Sequence, residues 1–475
     1  MEKITVVSAP GKVLVAGGYL VLDRTYTGVV FGTSARFYCA IRRVGTSTDA
    51  IRVSVRSPQF EDGSWNYEVG FTEQRDGCRL TAIGAGQRNR YVEVTIVHCL
   101  SLCLAGAKDF SARLGSGLDI VIVGDNDFYS QREQLKRASL PLTTASLASL
   151  ERFCATHSTI GDVHKTGLGS SAAMITSLTA ALLSHFGVVS IPSENAASPA
   201  ERTGIRLVHD AAQFCHCLAQ GKIGSGFDVS SAVYGSHVYR RFSPSVLDGL
   251  LRLAESGEAS REVTVRGPDL TCVLGTDRWD NDVQRVNLPP GFTLALADID
   301  AGSSTPKLVS QVLAWRKAKA EEDLFLAHRV WTDIDESNRA LIQTLQKLSD
   351  LATAEPAAYE EVRRECQAIP ARDGIRAYLR EMSKLAGVPI EPEEQTRLLD
   401  ACNAVSGVIM AGVPGAGGFD AIFCVTVDPS CRDALERVWS SWTEMAVAPL
   451  LASDSKTGLM EVELPPELRR HFAWL

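Results

Sequence analysis

The segment Lys165-Thr-Gly-Leu-Gly-Ser-Ser-Ala-Ala-Met174 runs without a break from a glycine-serine loop into an alanine-rich helical pattern, and it constrains this chain more than any other stretch. Glycines let a backbone approach a ligand closely and turn its N–H groups inward. The helix start adds unpaired N–H groups and the positive end of a dipole, which suit an anion. The segment therefore reads as a phosphate cradle. It is not a Walker A loop, because no lysine follows the glycines. Gly167-Leu-Gly-Ser-Ser-Ala172 fits a GxGxxA dinucleotide pattern, but Asp162-Val-His-Lys-Thr166 before it is a poor buried strand, so a nicotinamide-dependent dehydrogenase lacks its βαβ context. From the residues alone, an ordinary tight turn remains the competing reading.

Three further stretches carry unusual local chemistry. Ser8-Ala-Pro-Gly-Lys-Val-Leu-Val-Ala-Gly-Gly-Tyr-Leu-Val-Leu22 puts Lys12 at the start of a strand that is otherwise free of charge, with Gly17 and Gly18 breaking the apolar run. A lysine there either snorkels outward or faces a site. Gln220-Gly-Lys-Ile-Gly-Ser-Gly-Phe-Asp-Val229 places Asp228 just after a glycine-rich turn, where a helix N-cap is the commoner role. Gly412-Val-Pro-Gly-Ala-Gly-Gly-Phe-Asp420 is too rich in glycine for an unremarkable connection, although a long plain loop would also fit.

At 475 residues the chain is too long for one ordinary core, and two domains are expected, 1–245 and 246–475. Alternation over Ile4–Val7, Val13–Val15, Val29–Phe31, Phe37–Ile41 and Ile51–Val55 predicts a run of strands. Hairpins follow through Ser57–Arg90, then a helix near Val92–Ala107, a strand at Leu118–Val123, and helices around Gln131–Lys136, Ala172–Leu183 and Glu201–Ala219. The second block opens with strand-like Leu270–Leu274 and Phe292–Asp298, which lead into a charge-laced helical region from Pro306 to about Ala354. It closes with a glycine-rich turn at Gly407–Gly412, a strand at Ala421–Val427, a helix at Cys431–Trp442 and a last strand near Met460–Glu463. The class is α+β.

Hydrophobic residues at 45% and charged residues at 22% describe an ordinary globular protein, and no apolar run reaches the roughly 20 residues needed to span a bilayer. The formal charge of −8 disfavours nucleic acid and anionic membranes as partners, leaving small molecules. Twelve cysteines scattered singly, several inside apolar runs (Cys39, Cys272, Cys424), read as reduced, mostly buried thiols. With no basic-then-apolar signal at the start, the cytoplasm is the expected compartment.

Taken together and in this order, the motifs resemble the GHMP kinase family, whose three signatures match Pro10–Val21, Lys165–Ala173 and Gly412–Ala421. The resemblance runs from residue 8 to about residue 425. It implies an N-terminal domain like domain 2 of ribosomal protein S5 and a ferredoxin-like C-terminal domain. Gly221 to Val229, Gly124 to Ser130 and Gly302 to Val309 look like the eukaryotic type of the branch that acts on mevalonate 5-phosphate. The resemblance thus implies transfer of the γ-phosphoryl group of ATP to (R)-5-phosphomevalonate, in the mevalonate route to isoprenoids and sterols. The acting species is expected to be a monomer or homodimer. Other GHMP enzymes, such as mevalonate kinase, a sugar kinase or diphosphomevalonate decarboxylase, and a silent sensor of the same fold are the alternatives.

Carried over by position, the family pattern sets Lys165, Gly167, Leu168, Gly169, Ser170, Ser171, Ala172 and Ala173 around the ATP phosphates, with Ser171 as a Mg²⁺ ligand. Lys12 and Asp228 fall on the catalytic lysine and aspartate. Gly18, Tyr19, Lys222, Ser225, Ser303, Ser304, Lys307, Gly415 and Gly417 are the candidates for binding the substrate, with Tyr19 as a hydroxyl donor. The adenine pocket is expected near residues 90–130. One departure stands out: mevalonate kinases carry a glutamate Mg²⁺ ligand in the helix before the aspartate motif, and ungapped spacing lands that position on Cys217. His209, Cys215, His216 and Cys217 do not suggest a metal cluster, since residues two apart on a helix point to different faces.

Overall fold

The apolar stretch around Lys12 forms strand β1 (Thr5–Ala16), antiparallel to the long β2 (Gly28–Val44). A hairpin set follows with β3 (Arg52–Arg56), β4 (Ser64–Phe71) and β5 (Cys78–Ala82), as the Ser57–Arg90 composition predicts. Strand β6 (Gly117–Gly124) inserts between β2 and β3, antiparallel to the first and parallel to the second. Short strands β7 (His237–Arg240) and β8 (Asp282–Arg285) extend β2 at its Gly28 end. The computed structural model describes residues 4–45, 50–84, 88–193, 198–260, 265–299, 305–368 and 374–472.

Period-two alternation assigns the two faces of this sheet. Val7, Ala9, Val13, Phe37, Cys39, Ile41, Ile120 and Ile122 point into the main core beneath helices Arg90–Gly106, Ser170–His185 and Pro199–Gln220. Val6, Tyr38, Ala40, Val121 and Val123 point the other way, onto Phe153, Leu468 and Phe472. Ala172 and Ala173 are fully buried, so the helix that leaves the glycine loop lies close against the sheet.

The second sheet holds β9 (Thr293–Ile299), β10 (Val408–Gly412), β11 (Ala421–Thr426) and β12 (Val447–Pro449) in the order β10-β11-β9-β12, all antiparallel. Helices lie between β9 and β10 and between β11 and β12. This is the β-α-β-β-α-β arrangement of a ferredoxin-like domain. The long helical region divides at Asp323 into Thr305–Glu322 and Leu324–Ala354, and the Asp323 side chain caps the second helix. The chain then returns to the first sheet: β13 (Asp454–Ser455) pairs with β2, and β14 (Met460–Glu461) pairs with β1. Together with β8, these strands bring residues from beyond position 245 into the N-terminal sheet.

Three local expectations are corrected. Leu270–Leu274 is not a strand: helix Gly267–Thr271 runs into it, with Pro268 in its first turn and the Asp269 carboxylate accepting the Arg266 N–H at 3.0 Å. Gly407–Gly412 is mostly edge strand β10 rather than a turn; only Gly407, at φ +84°, has turn geometry. Cys272 is exposed, whereas Cys39 and Cys424 are buried as expected.

Burial also gives this sheet a sensitivity to acid. His237 is fully buried at the start of β7, with Nδ1 at 2.9 Å from the Gly235 carbonyl and Nε2 at 2.9 Å from Ser230 Oγ. Burial pushes its pKa down to about 4, below the value of about 6.5 in an unfolded chain. The unfolded state therefore takes up a proton that the folded state refuses. The stability is complete above pH 6.5 and is lost as pH falls toward the folded value. Urea unfolding at about pH 5 should show roughly 2 kcal/mol less stability than at neutrality from this group, an increment that His237→Gln removes.

Candidate active site

A bulge delivers Lys12 to the phosphate loop. The β1–β2 register shifts between Pro10 and Lys12, which takes the Lys12 N–H off the ladder and lets it donate to the Leu168 carbonyl at 2.8 Å. Its ammonium Nζ donates to the Gly167 carbonyl at 2.7 Å. The loop can fold over the lysine only with glycine at position 169: its φ is +80°, and a Cβ there would meet Lys12 Cγ at 3.0 Å. Helix Ser170–His185 starts immediately afterwards with no side-chain cap, so its first N–H groups are presented to the loop. Gly167, Leu168 and Gly169 thus lie against Lys12, Ser170, Ser171, Ala172 and Ala173 open the helix that follows, and Lys165 precedes the loop.

Asp228 stands in the first turn of helix Phe227–Tyr234, behind the left-handed Gly226. Its Oδ1 accepts the Val229 N–H at 3.0 Å, and its Oδ2 lies 3.9 Å from His216 Nδ1. The other ring nitrogen of His216, Nε2, is 3.1 Å from Ser171 Oγ and 3.1 Å from the Gln220 amide nitrogen. Ser171, His216 and Asp228 form a continuous line from the phosphate loop to the aspartate. Burial lowers the Lys12 pKa, opposed by the carboxylates of Asp228 and Asp420. Lys12 also lies 5.4 Å over the Phe227 ring. Burial likewise holds the His216 pKa down; the Asp228 charge opposes this and the Lys222 charge adds to it.

The N-terminal and C-terminal glycine motifs meet at this site. Gly18 sits so close to the third motif that a Cβ would lie 2.3 Å from the Gly415 carbonyl oxygen. Gly415 N–H donates to the Leu14 carbonyl at 3.1 Å, and a Cβ on Gly417 would lie 2.1 Å from the Ile390 carbonyl oxygen. Tyr19 differs from its expected role: its buried hydroxyl already donates to the Ala416 carbonyl at 2.7 Å, which ties the two motifs together instead of facing a ligand. Lys222 is exposed on the 221–226 loop, and its charge reaches His216. Ser225 lends its carbonyl to Tyr239 at 2.8 Å. Lys307 is exposed in the first turn of helix Thr305–Glu322, and Ser303 and Ser304 lie outside the described residues.

Next to the phosphate loop opens a cleft with about 720 Å³ of empty space, part of it open to solvent. Phe60, Trp65, Tyr91 and Tyr129 supply aromatic walls, and Lys165, Ser170 and Ser171 line the same cleft. Flat apolar walls beside an anion cradle suit a nucleoside whose phosphates run into the loop.

Sequence reasoning missed His216, Asp420 and Arg241. Arg241 donates to the carbonyls of Leu22 at 2.6 Å, Ile223 at 3.1 Å and Gly224 at 2.7 Å, fixing the loop that carries Lys222. Asp420 closes a motif already singled out, so its position carried a signal. His216 stands among helical neighbours whose spacing argues against a metal cluster, and its contact with Ser171 leaves no signal in the sequence. Cys217, where spacing put the missing glutamate, is buried and takes the Gln213 amide at 3.3 Å.

No family model matches the chain. It is 38% identical to the peroxisomal phosphomevalonate kinase of Arabidopsis thaliana, over 93% of this chain and 93% of that relative. It is 37% identical to phosphomevalonate kinase ERG8 of Gibberella zeae, over 89% of this chain and 87% of the relative. Among solved structures, the Lin0012 protein of Listeria innocua aligns at TM-score 0.61 and 18% identity, covering 97% of this chain and 100% of that one. The Streptococcus pneumoniae phosphomevalonate kinase in complex with phosphomevalonate and AMPPNP aligns at TM-score 0.54 and 15% identity, covering 96% and 99%. At such identities the two structures are similar to this chain in fold alone.

Proposed function

The chain belongs to the phosphomevalonate kinase family, and on that premise we propose how its residues divide the work of phosphoryl transfer. The enzyme uses ATP to phosphorylate 5-phosphomevalonate, giving 5-diphosphomevalonate and ADP in the mevalonate pathway. Its α+β architecture is the GHMP kinase fold.

The acceptor is a phosphate monoester whose second pKa is near 6, so its attacking oxygen is already largely ionised at neutral pH. A bond forms from that oxygen to the γ-phosphorus as the bridging bond to the β-phosphate breaks and ADP departs. The residues need not remove a proton. They must hold two anions together through a loose transition state. Lys12, on the Gly167 carbonyl, supplies the positive charge at the meeting point, and Asp228 and Asp420 keep its ammonium charged against the pull of burial. The convergence of Lys12, the Gly167–Ser171 loop and Asp228 from three distant segments is the observation that carries this reading. The aromatic cleft between Trp65 and Tyr129 takes the adenosine.

The residues fit Mg²⁺ as well. The Ser171 hydroxyl and the Asp228 carboxylate are oxygen donors of the kind a hard cation takes, too few for a protein-only cage and suited to a metal that arrives on nucleotide phosphates. Bound there, the ion would neutralise charge on the β- and γ-phosphates. For the acceptor phosphate, Lys222 and Lys307 are the proposed cations, with Ser225, Ser303, Ser304, Gly18, Gly415 and Gly417 around the acceptor. Arg241→Ala should free the Lys222 loop and raise KM for phosphomevalonate by about tenfold while leaving KM for ATP unchanged, a split that steady-state kinetics reads directly.

The cytoplasm is the proposed compartment and a monomer or homodimer the proposed species. Twelve cysteines, all unpaired, support a reducing environment, and among the described residues no helix is long and apolar enough to cross a membrane. Fractionation of cells and sedimentation of the purified chain test both. The activity itself is tested by ADP release with Mg·ATP and mevalonate, 5-phosphomevalonate, 5-diphosphomevalonate or galactose. Turnover of 5-phosphomevalonate alone, lost in Lys12→Met, is expected; turnover of a different acceptor overturns the substrate.

A further inference from the structure

We propose that His216 is a positioning residue for the phosphate site: it accepts the Ser171 O–H hydrogen bond at Nε2 and so leaves the lone pairs of that hydroxyl turned toward Mg²⁺·ATP. The proposal rests on the kinase reading above and deepens it by assigning a role to the neighbour of Cys217, the position on which spacing lands the glutamate that mevalonate kinases carry.

The argument is one of hydrogen-bond direction. A neutral imidazole has one N–H and one lone pair, and its surroundings decide which nitrogen carries which. Asp228 Oδ2 lies 3.9 Å from Nδ1, longer than a hydrogen bond but close enough for a carboxylate to favour the hydrogen on that side. Nε2 then holds the lone pair. The Gln220 amide nitrogen, 3.1 Å from Nε2, turns a second donor toward that atom and shares its single lone pair with Ser171. Ser171 Oγ, 3.1 Å from the same nitrogen, can then only donate.

A hydroxyl that donates its hydrogen backward keeps both lone pairs for what lies in front, and a hard cation binds lone pairs. The opposite tautomer would make Ser171 an acceptor and aim its hydrogen at the metal. His216 is buried on helix Pro199–Gln220, with a side-chain exposure of 4%, so the ring is locked by packing as well as by its partners. Cys217, the next residue, faces Gln213 and has no part in this line.

Two substitutions separate this role from plain packing. In His216→Gln the side-chain oxygen reaches the place of Nε2 and can accept from Ser171. In His216→Asn the shorter amide stays on the Asp228 side and cannot. Calorimetric titration of each purified variant with ATP, once with excess Mg²⁺ and once with EDTA, reads the metal-dependent increment without catalysis. His216→Asn should lose about tenfold in affinity for Mg²⁺·ATP with metal-free ATP binding unchanged, and His216→Gln should recover most of it. Ser171→Ala, which leaves the ring in place, should lose the same increment, a reading that survives even if His216→Asn does not fold. Equal weakening with and without Mg²⁺, or an increment that survives in both His216→Asn and Ser171→Ala, overturns the proposal while leaving the kinase intact. A wild-type chain that binds ATP no better with Mg²⁺ and transfers no phosphoryl group overturns the proposal and the kinase reading together.

Discussion

Lys12→Met should lower kcat by about 10³-fold, and Asp228→Asn by only about tenfold to a hundredfold. The difference follows from what each group does in the transition state. Lys12 is the cation that reaches the phosphate loop from the N-terminal strand, hydrogen-bonded to the Gly167 carbonyl at 2.7 Å. Methionine keeps most of the stem's volume and removes the charge, so the two anions meet without it. Asp228→Asn keeps the shape and the contact with Val229, and the acceptor phosphate needs no base because it is already ionised near neutrality. The Asp420 charge still acts on the lysine. Steady-state kinetics at saturating ATP and phosphomevalonate reads the two values. An Asp228→Asn loss equal to that of Lys12→Met would mean that the aspartate does more than keep the lysine charged, either by taking a proton or by holding Mg²⁺, and a loss that rising Mg²⁺ relieves identifies the second.

The parts of this site that could be read from the sequence are those written in consecutive residues. The Lys165–Ala173 loop announces a phosphate cradle because its glycines and the helix after it lie side by side in the chain, and the structure keeps them so. His216 gives no such announcement. It lies between Cys215 and Cys217 on an amphipathic helix, and only the packing of that helix against Ser170–His185 decides which of the three faces Ser171. Tyr19 was recognisable as special, but its partner Ala416 is nearly 400 residues away, a pairing that local chemistry cannot specify. Strand β10 was hidden by Gly407 and Gly412: glycines break a strand pattern on paper, yet pairing with β11 outweighs that preference. The helix at Gly267–Thr271 was the opposite case. Pro268 and Asp269 are legible start signals, and the apolar run after them also fits a strand. The strand near Met460 was legible, but its pairing with β1 was not, and the two-residue β13 exists only through its partner β2.

Arg376→Met should destabilise the protein by about 3–5 kcal/mol, the largest stability effect expected of a residue outside the site. Arg376, in helix Gly374–Ala386, has a side-chain exposure of 4%, and its partner Glu391 has 0%. The guanidinium binds Glu391 Oε1 at 2.8 Å and Asp400 at 2.9 Å; Arg380 at 3.0 Å and Thr396 at 3.0 Å complete the carboxylate's shell. Methionine fills similar space but leaves a buried carboxylate held mainly by Arg380, which is one-third exposed. That cost is the penalty of an uncompensated buried charge rather than the net worth of the pair. Arg376→Met with Glu391→Leu should therefore recover much of the loss, measured by urea unfolding of both variants. The damage in the single variant should also reach the reaction. Glu391 follows Ile390, whose carbonyl accepts the Gly418 N–H at 2.8 Å and packs against Gly417 in the loop that ends at Asp420, beside Lys12. Without its most buried partner, Glu391 shifts toward the part-exposed Arg380 and carries the neighbouring Ile390 carbonyl with it, so kcat should fall in Arg376→Met and return in the double variant. Recovery of stability without recovery of kcat would show that the ion pair itself, and not only a filled core, holds the third glycine loop in register with the lysine.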